Sequence, residues 1–355
     1  MLLLEKSSCV VIFLLFTFFP SIPAPIANGF YPRTRYNETE ARQLINLSAG
    51  AYSTSPQGCI NVTFGNSAYL YTLFSSNNLV CDIAKSSCAS YILVNDQQRR
   101  VYVVFRGTKT DQQLLLEGWQ SLAPKVNFFN AGSANKYFAD ALDVLWPNVQ
   151  QVFTNPRFQN YDFTFTGHSL GAALAALAAL KTVVTGLRPD GSRIHLVTFG
   201  EPRVGNIILA QKFDQVLPYA FRVVHADDIV PHLPKCAKDN MTRNAMGSRA
   251  CSTTNLVEGY HHGIEIWYPG QMGFQDPYYE CLGTPKNEDF ACSDSLVFKA
   301  DQYKKYIASH RYYFEHKVPP YGESGCTQDF PMNGQTNDET ENPLIAAGFK
   351  LLLNS

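Results

Sequence analysis

The sequence predicts an α/β fold, a mostly parallel central sheet with helices on both faces, and three observations lead there. Strand-like and helix-like segments alternate from Ser90 to Tyr268, the pattern of parallel strands joined by crossover helices. The stretch Tyr161–Lys181, YDFTFTGHSLGAALAALAALK, sets a β-forming segment against one made almost wholly of Ala and Leu, so strand and helix meet within Gly167–Gly171. The 355 residues are 45% apolar and 17% charged, enough material for the core of one α/β unit and not the composition of a disordered chain.

Taken in order, Glu38–Ala51 reads as a helix. Ser90–Gly107, SYILVNDQQRRVYVVFRG, reads as two strands joined through Asn95 and Asp96, the second ending at Arg106-Gly107-Thr108. Ala134–Val152 carries Phe138, Leu142, Leu145 and Val149 at helical spacing, and Pro147 is expected to kink or divide it. Phe163–Thr166 and Leu170–Lys181 are the strand and helix of the tight junction. Ile194–Phe199 is the next strand, Gly205–Asp214 the next helix, and Phe221–His225 and Ile264–Tyr268 two further strands. No internal repeat is present.

The ends differ from this middle. Met1–Lys6 followed by the apolar run Cys9–Phe19 is short for a bilayer span and suits an export signal, with cleavage after Ala24 or Ala27. The organisation expected is residues 1–24 as signal peptide, 30–326 as the folded domain and 327–355 as a C-terminal tail, giving a secreted, extracellular protein with no transmembrane segment in the mature chain. Lys350 interrupts the apolar end Pro343–Leu353, which argues against a lipid-anchor signal. Export implies oxidising conditions, and eight cysteines remain once Cys9 is set aside. Local spacing suggests Cys81 with Cys88, Cys236 with Cys251 and Cys281 with Cys292, leaving Cys59 to clasp Cys326. No CxxC pair or Cys/His cluster has zinc-ligand spacing, so no metal or cofactor is expected. Asn37, Asn46, Asn61 and Asn240 lie in glycosylation sequons, as in a secreted glycoprotein. A net charge of -1 without any Lys/Arg block excludes the electrostatic footprint of a nucleic-acid partner.

The junction carries the chemistry. It spells GxSxG at Gly167–Gly171, and a serine at a strand-to-helix elbow is held in a strained conformation with its hydroxyl pushed past the strand's carboxyl end. Gly167 and Gly171 remove the Cβ atoms that would clash there. Such a serine needs a base to take its proton and a carboxylate to orient that base. In α/β hydrolases both follow the serine, acid first. Asp227 and Asp228, after the strand Phe221–Val224, are both suitable acids. His232, His261, His262, His310 and His316 all lie downstream as possible bases, and residue chemistry alone leaves them open, although His261 and His262 open a strand and suit structural roles. His310 falls where the loop after a last strand is expected. An oxyanion hole needs two donors: the Leu170 N–H is one, and Thr108, at the end of an earlier strand, is placed to be the other.

With these motifs assembled, residues from about 38 to 326 resemble the class 3 lipases, the fungal triacylglycerol lipase group within the α/β hydrolases, and above all its nematode secreted members. The strings that carry the resemblance are VYVVFRGT, FTFTGHSLGAALAALAA, VTFGEPRVGN, FRVVHADDIVPHLP, GYHHGIEIWY and SHRYYF, in the family's order. It implies the α/β-hydrolase fold, Ser169 as nucleophile, Asp228 before Ile-Val-Pro as acid, His310 in its His-x-x-Tyr-Phe context as base, and Thr108 with Leu170 as the oxyanion pair. Fungal members usually have Asp before that histidine, where this chain has Ser309. The interval from Asp228 to His310 is also long for a fungal member, the extra length holding Cys281 and Cys292.

The resemblance implies an ester hydrolase acting on acylglycerols, meeting lipid at an oil–water or membrane surface. It also implies an amphipathic cover within Lys109–Leu122, whose Leu114, Leu115, Leu116, Trp119 and Leu122 would face lipid when open. A phospholipase A1 or a soluble carboxylesterase would share fold and triad. A non-catalytic lipid-binding protein on the same scaffold would not be expected to keep Ser169, Asp228, His310 and Thr108 together.

Overall fold

The structure, a computed structural model, describes residues 34–81, 87–109 and 123–332. The expected signal peptide, nearly all of the amphipathic cover (110–122) and most of the C-terminal tail (333–355) lie outside the described residues.

One eight-stranded sheet organises the chain: β1 (Tyr71–Val80), β2 (Ser87–Asn95), β3 (Arg100–Phe105), β4 (Asp162–His168), β5 (Ile194–Phe199), β6 (Tyr219–His225), β7 (Ile264–Tyr268) and β8 (Tyr279–Cys281), arranged in chain order. Neighbours from β3 through β7 are parallel. The β1–β2, β2–β3 and β7–β8 pairs are antiparallel, so the sheet is mostly parallel with antiparallel margins. β3 through β7 are apolar runs because both faces are covered. On β3, Val101, Val103 and Phe105 join one core while Tyr102 and Val104 join the other, the period-two alternation of a strand between two layers.

The first core is closed by α3 (Lys136–Thr154) and α4 (Leu170–Val184), the second by α1 (Glu38–Gly50), α2 (Gln57–Phe64) and the late helix α7 (Val318–Glu323). Between them in sequence lie α5 (Ile207–Val216) and α6 (Tyr303–Arg311). The many alanines of α4 bring it close to the sheet, and because neighbouring elements surround it, Leu170 through Val183 are all buried. Pro147 does not divide α3, which runs unbroken through it. One lost backbone hydrogen bond is outweighed by burial of Leu142, Leu145, Trp146 and Val149 on the same helix.

β1 has no counterpart among the strands expected from the sequence. Its residues, YTLFSSNNLV, are half-exposed and lack apolar alternation, and the strand is held by its ladder with β2 and by the Cys81–Cys88 disulfide. The other three disulfides join Cys59 to Cys326, Cys236 to Cys251 and Cys281 to Cys292, so all four spacing-based pairings are present. In the long segment between β6 and α6, Glu288 receives Arg203 in a bidentate pair at 2.6 and 2.7 Å, and Asp294 receives Lys238 at 3.3 Å. These ion pairs and the short disulfide loops fix the irregular parts of this segment, which flank β7 and β8.

Candidate active site

Ser169 sits between β4 and α4 with φ 61° and ψ −129°. That positive φ is costly for a residue with a Cβ and is enforced by what surrounds it. The Ser169 N–H donates to Phe199 O at 2.9 Å and its carbonyl accepts from Ala172 N–H at 2.9 Å. Backbone fills the space that the elbow glycines leave: a Cβ on Gly167 would strike the Gly171 carbonyl, and one on Gly171 the Phe105 carbonyl at the end of β3.

The Ser169 hydroxyl donates to His310 Nε2 at 2.8 Å, and His310 Nδ1–H donates to the Asp228 carboxylate at 2.9 and 3.0 Å. Ser169, His310 and Asp228 are 2%, 1% and 0% exposed. Asp228 follows β6 and is gripped from two further sides: Tyr313 Oη donates to Oδ2 at 2.6 Å and Val230 N–H to Oδ1 at 2.9 Å. Burial by itself would raise the Asp228 carboxyl, but the His310 charge and these donors hold it below its ordinary value, so it stays an acceptor. Burial, then the Asp228 charge, pushes the Tyr313 phenol well up, so it stays a donor.

His310 stands in the last turn of α6, not in a loop. Tyr303, Tyr306 and Ile307 on the same helix pack on Ile229 and Val230, which presses the helix against the segment that bears Asp228. Asp227, the neighbouring carboxylate, points elsewhere: it accepts from Ser309 Oγ at 2.6 Å and pairs with Lys305 at 2.5 Å. Ser309 is therefore matched to a carboxylate that a second carboxylate at this position would repel.

The other downstream histidines are occupied away from Ser169. His261 Nε2 meets Pro231 O at 2.6 Å, His262 Nε2 meets Glu201 at 2.8 Å, His232 lies 3.8 Å from Asp294, and His316 pairs with Asp329 at 2.6 Å. Leu170 opens α4, so its N–H is one of those a helix leaves without an intrahelical acceptor. Thr108 is buried just past β3, and the adjoining Lys109 carbonyl accepts from Arg311 Nη2 at 2.8 Å, tying that segment to the end of α6.

Several residues of this site escape sequence reasoning. Gly200, after β5, has φ +59°, and a Cβ on it would lie 2.7 Å from Asp228 Oδ2 and 2.9 Å from the His310 ring; a glycine directly after an apolar strand is the available signal. Tyr313, three residues past His310, has its spacing as a signal. His168, Tyr52 and His225 have none, because their partners are distant in sequence. His168 joins Tyr52 Oη at 2.8 Å and the His310 carbonyl at 2.7 Å, and its ring stacks on that of His310 with centroids 4.8 Å apart.

An elbow of this geometry on a sheet of this order is the α/β-hydrolase fold. The family model "Lipase (class 3)" matches residues 102–238. A Caenorhabditis elegans lipase is 46% identical over 303 residues, covering 84% of this chain and 85% of its own. The secreted mono- and diacylglycerol lipase 1 of Fusarium solani is 30% identical over 225 residues, 60% of this chain and 53% of its own. Among solved structures, the Rhizomucor miehei triacylglyceride lipase superposes with a TM-score of 0.58 at 23% identity, covering 79% of this chain and 95% of that one. The chain belongs to the class 3 lipase family of ester hydrolases.

Proposed function

We propose that the protein is a secreted serine ester hydrolase that cleaves acylglycerols, of the triacylglycerol type, through an acyl-enzyme intermediate. The observation that carries this is the unbroken row from the Ser169 hydroxyl through His310 to Asp228 at a strained elbow. Ser169 Oγ attacks the ester carbonyl carbon as its proton passes to His310 Nε2, and Asp228 favours the resulting imidazolium. The carbonyl oxygen gains the negative charge and is met by the Leu170 N–H and Thr108. Collapse expels the alcohol, which takes the proton from His310, and leaves the acyl group on Ser169. Water then repeats the sequence, releasing the fatty acid and restoring the serine.

The acylglycerol preference is supported by the relatives: the Fusarium protein is named a mono- and diacylglycerol lipase and the Rhizomucor one a triacylglyceride lipase. Export is supported by the N-terminal apolar run and the four disulfides. Among the described residues no helix is long and apolar enough to cross a membrane. In this reading residues 1–24 are a signal peptide, 30–326 the hydrolase domain and 327–355 a tail.

The test is a fluorophosphonate probe followed by a substrate panel on one purified sample. The expected result is labelling at Ser169 and faster turnover of emulsified triglyceride than of phospholipid or soluble aryl ester. A protein that the probe leaves unlabelled overturns the serine mechanism. A labelled protein that prefers phospholipid or aryl ester overturns the acylglycerol assignment alone.

A further inference from the structure

We propose that His168 and His225 are positioning residues for His310, acting as side-chain caps on the last carbonyls of the helix that carries it. A helix leaves its final four carbonyls without intrahelical partners. In α6, which ends at Arg311, these include the carbonyl of His310 itself and that of Ser309, which also accepts from the N–H of the capping residue Tyr312. His168 Nε2–H donates to His310 O at 2.7 Å, and His225 Nδ1–H donates to Ser309 O at 3.0 Å. Both rings are buried, each 1% exposed.

A carbonyl only accepts, so the geometry sets the tautomer of His168, whose two nitrogens both have partners. His168 carries its proton on Nε2, and its bare Nδ1 accepts from Tyr52 Oη–H at 2.8 Å. Burial, then the nearby His310 charge, pushes His168 down to about 3, so it is neutral at any pH at which the enzyme would work. Burial also lowers His225. Neutrality matters because the His168 ring is stacked 4.8 Å from His310, where a charged imidazolium would oppose the positive charge His310 takes up in each half of the reaction.

The arrangement is reciprocal. β4 ends in the clamp His168, one residue before Ser169; β6 ends in His225, three residues before Asp228. The two strands that supply nucleophile and acid thus also grip the helix that supplies the base. His310 cannot slide along the α6 axis without breaking a hydrogen bond to one of them, and the Nε2 to Oγ distance is set by the sheet.

The proposal rests on His310 being the base. The test uses the full chain with His168→Phe, His168→Gln, His225→Phe and His225→Asn, active sites counted by fluorophosphonate and turnover measured on a soluble aryl ester. Phe keeps a flat ring without a donor, Gln places an N–H near the Nε2 position and Asn one near Nδ1. The Phe variants are expected to lose about 10- to 100-fold in kcat with KM nearly unchanged, whereas H168Q and H225N should recover to within about threefold of wild type. Should a Phe variant fail to fold, Tyr52→Phe decides: it frees the His168 ring to turn, and a fall in kcat of about threefold or more is expected. Wild-type kcat per labelled site in the Phe variants or in Tyr52→Phe, or no recovery in H168Q and H225N, overturns the proposal. A wild-type protein that the probe does not label removes the base assignment and this proposal with it, whereas a labelled wild type whose variants turn over normally removes the clamp alone.

Discussion

Among the described residues two histidine–carboxylate pairs are fully buried, and they differ in what stands on the far side of the ring. His310 touches Asp228 with one nitrogen and the Ser169 hydroxyl with the other. His262 touches Glu201 at 2.8 Å with one nitrogen, while its ring lies flat on Phe213 with centroids 3.7 Å apart. Glu201 is further held by Thr198 Oγ1 at 2.6 Å, much as Asp228 is held by Tyr313. A histidine beside a buried carboxylate is therefore no signature of catalysis by itself. What separates the pairs is a hydroxyl within reach and a backbone bent to present it.

The comparison can be broken most directly at that hydroxyl. Ser169→Ala is expected to lower kcat/KM for ester hydrolysis by at least about 10⁴-fold with secretion retained; turnover near the wild-type rate would sink the serine mechanism. Next comes Gly200→Ala. A methyl group 2.7 Å from Asp228 Oδ2 and 2.9 Å from the His310 ring, at φ +59°, must push the pair apart, and kcat should fall about 100-fold with a smaller loss of stability. An unchanged kcat would mean that the spacing of the pair is not critical.

Tyr313→Phe removes one donor to Asp228 and should cost roughly tenfold in kcat, measured on enzyme counted by active-site labelling. Glu201→Gln sharpens the contrast from the other side: it should lower unfolding stability by roughly 1–3 kcal/mol in a denaturant titration and leave kcat per labelled site unchanged. A matching fall in kcat would dissolve the distinction between the two pairs.

A last effect is on pH-dependent stability. The folded protein keeps His168 neutral down to about 3, while the unfolded chain protonates it near its ordinary value of about 6.5. Between those values the unfolded state binds the extra proton, so stability falls as pH falls, by about one proton's worth at this site. His195, His225 and His261 are lowered by burial in the same direction. Denaturant midpoints from about pH 7 to about pH 4 should therefore decline in wild type and decline less steeply in H168Q; parallel curves would remove His168 as a contributor.

The parts of this structure legible in the sequence are those whose cause is local. β3 to β7 announce themselves as apolar runs, α4 as an Ala/Leu block, and the elbow as the abrupt change between them. β1 stays hidden because its stability comes from pairing with β2 and not from its own pattern. α6 carries Tyr303, Tyr306 and Ile307 at helical spacing among charged and polar residues, and it stands where the loop after a last strand is expected, so His310 is on a helix instead. The choice between Asp227 and Asp228, or among five histidines, cannot be made from residue chemistry because contacts between distant elements decide it, as the 82-residue separation of Asp228 and His310 shows.

The bond between Cys59 and Cys326 spans 267 residues, and the second cysteine follows every member of the Ser169, Asp228 and His310 row. A ribosome must therefore pass every one of these residues before the clasp can close, so this strap forms only once that stretch has been made, in a compartment able to oxidise it. Any cell that retains the chain among reduced thiols would make the same polypeptide without its buckle.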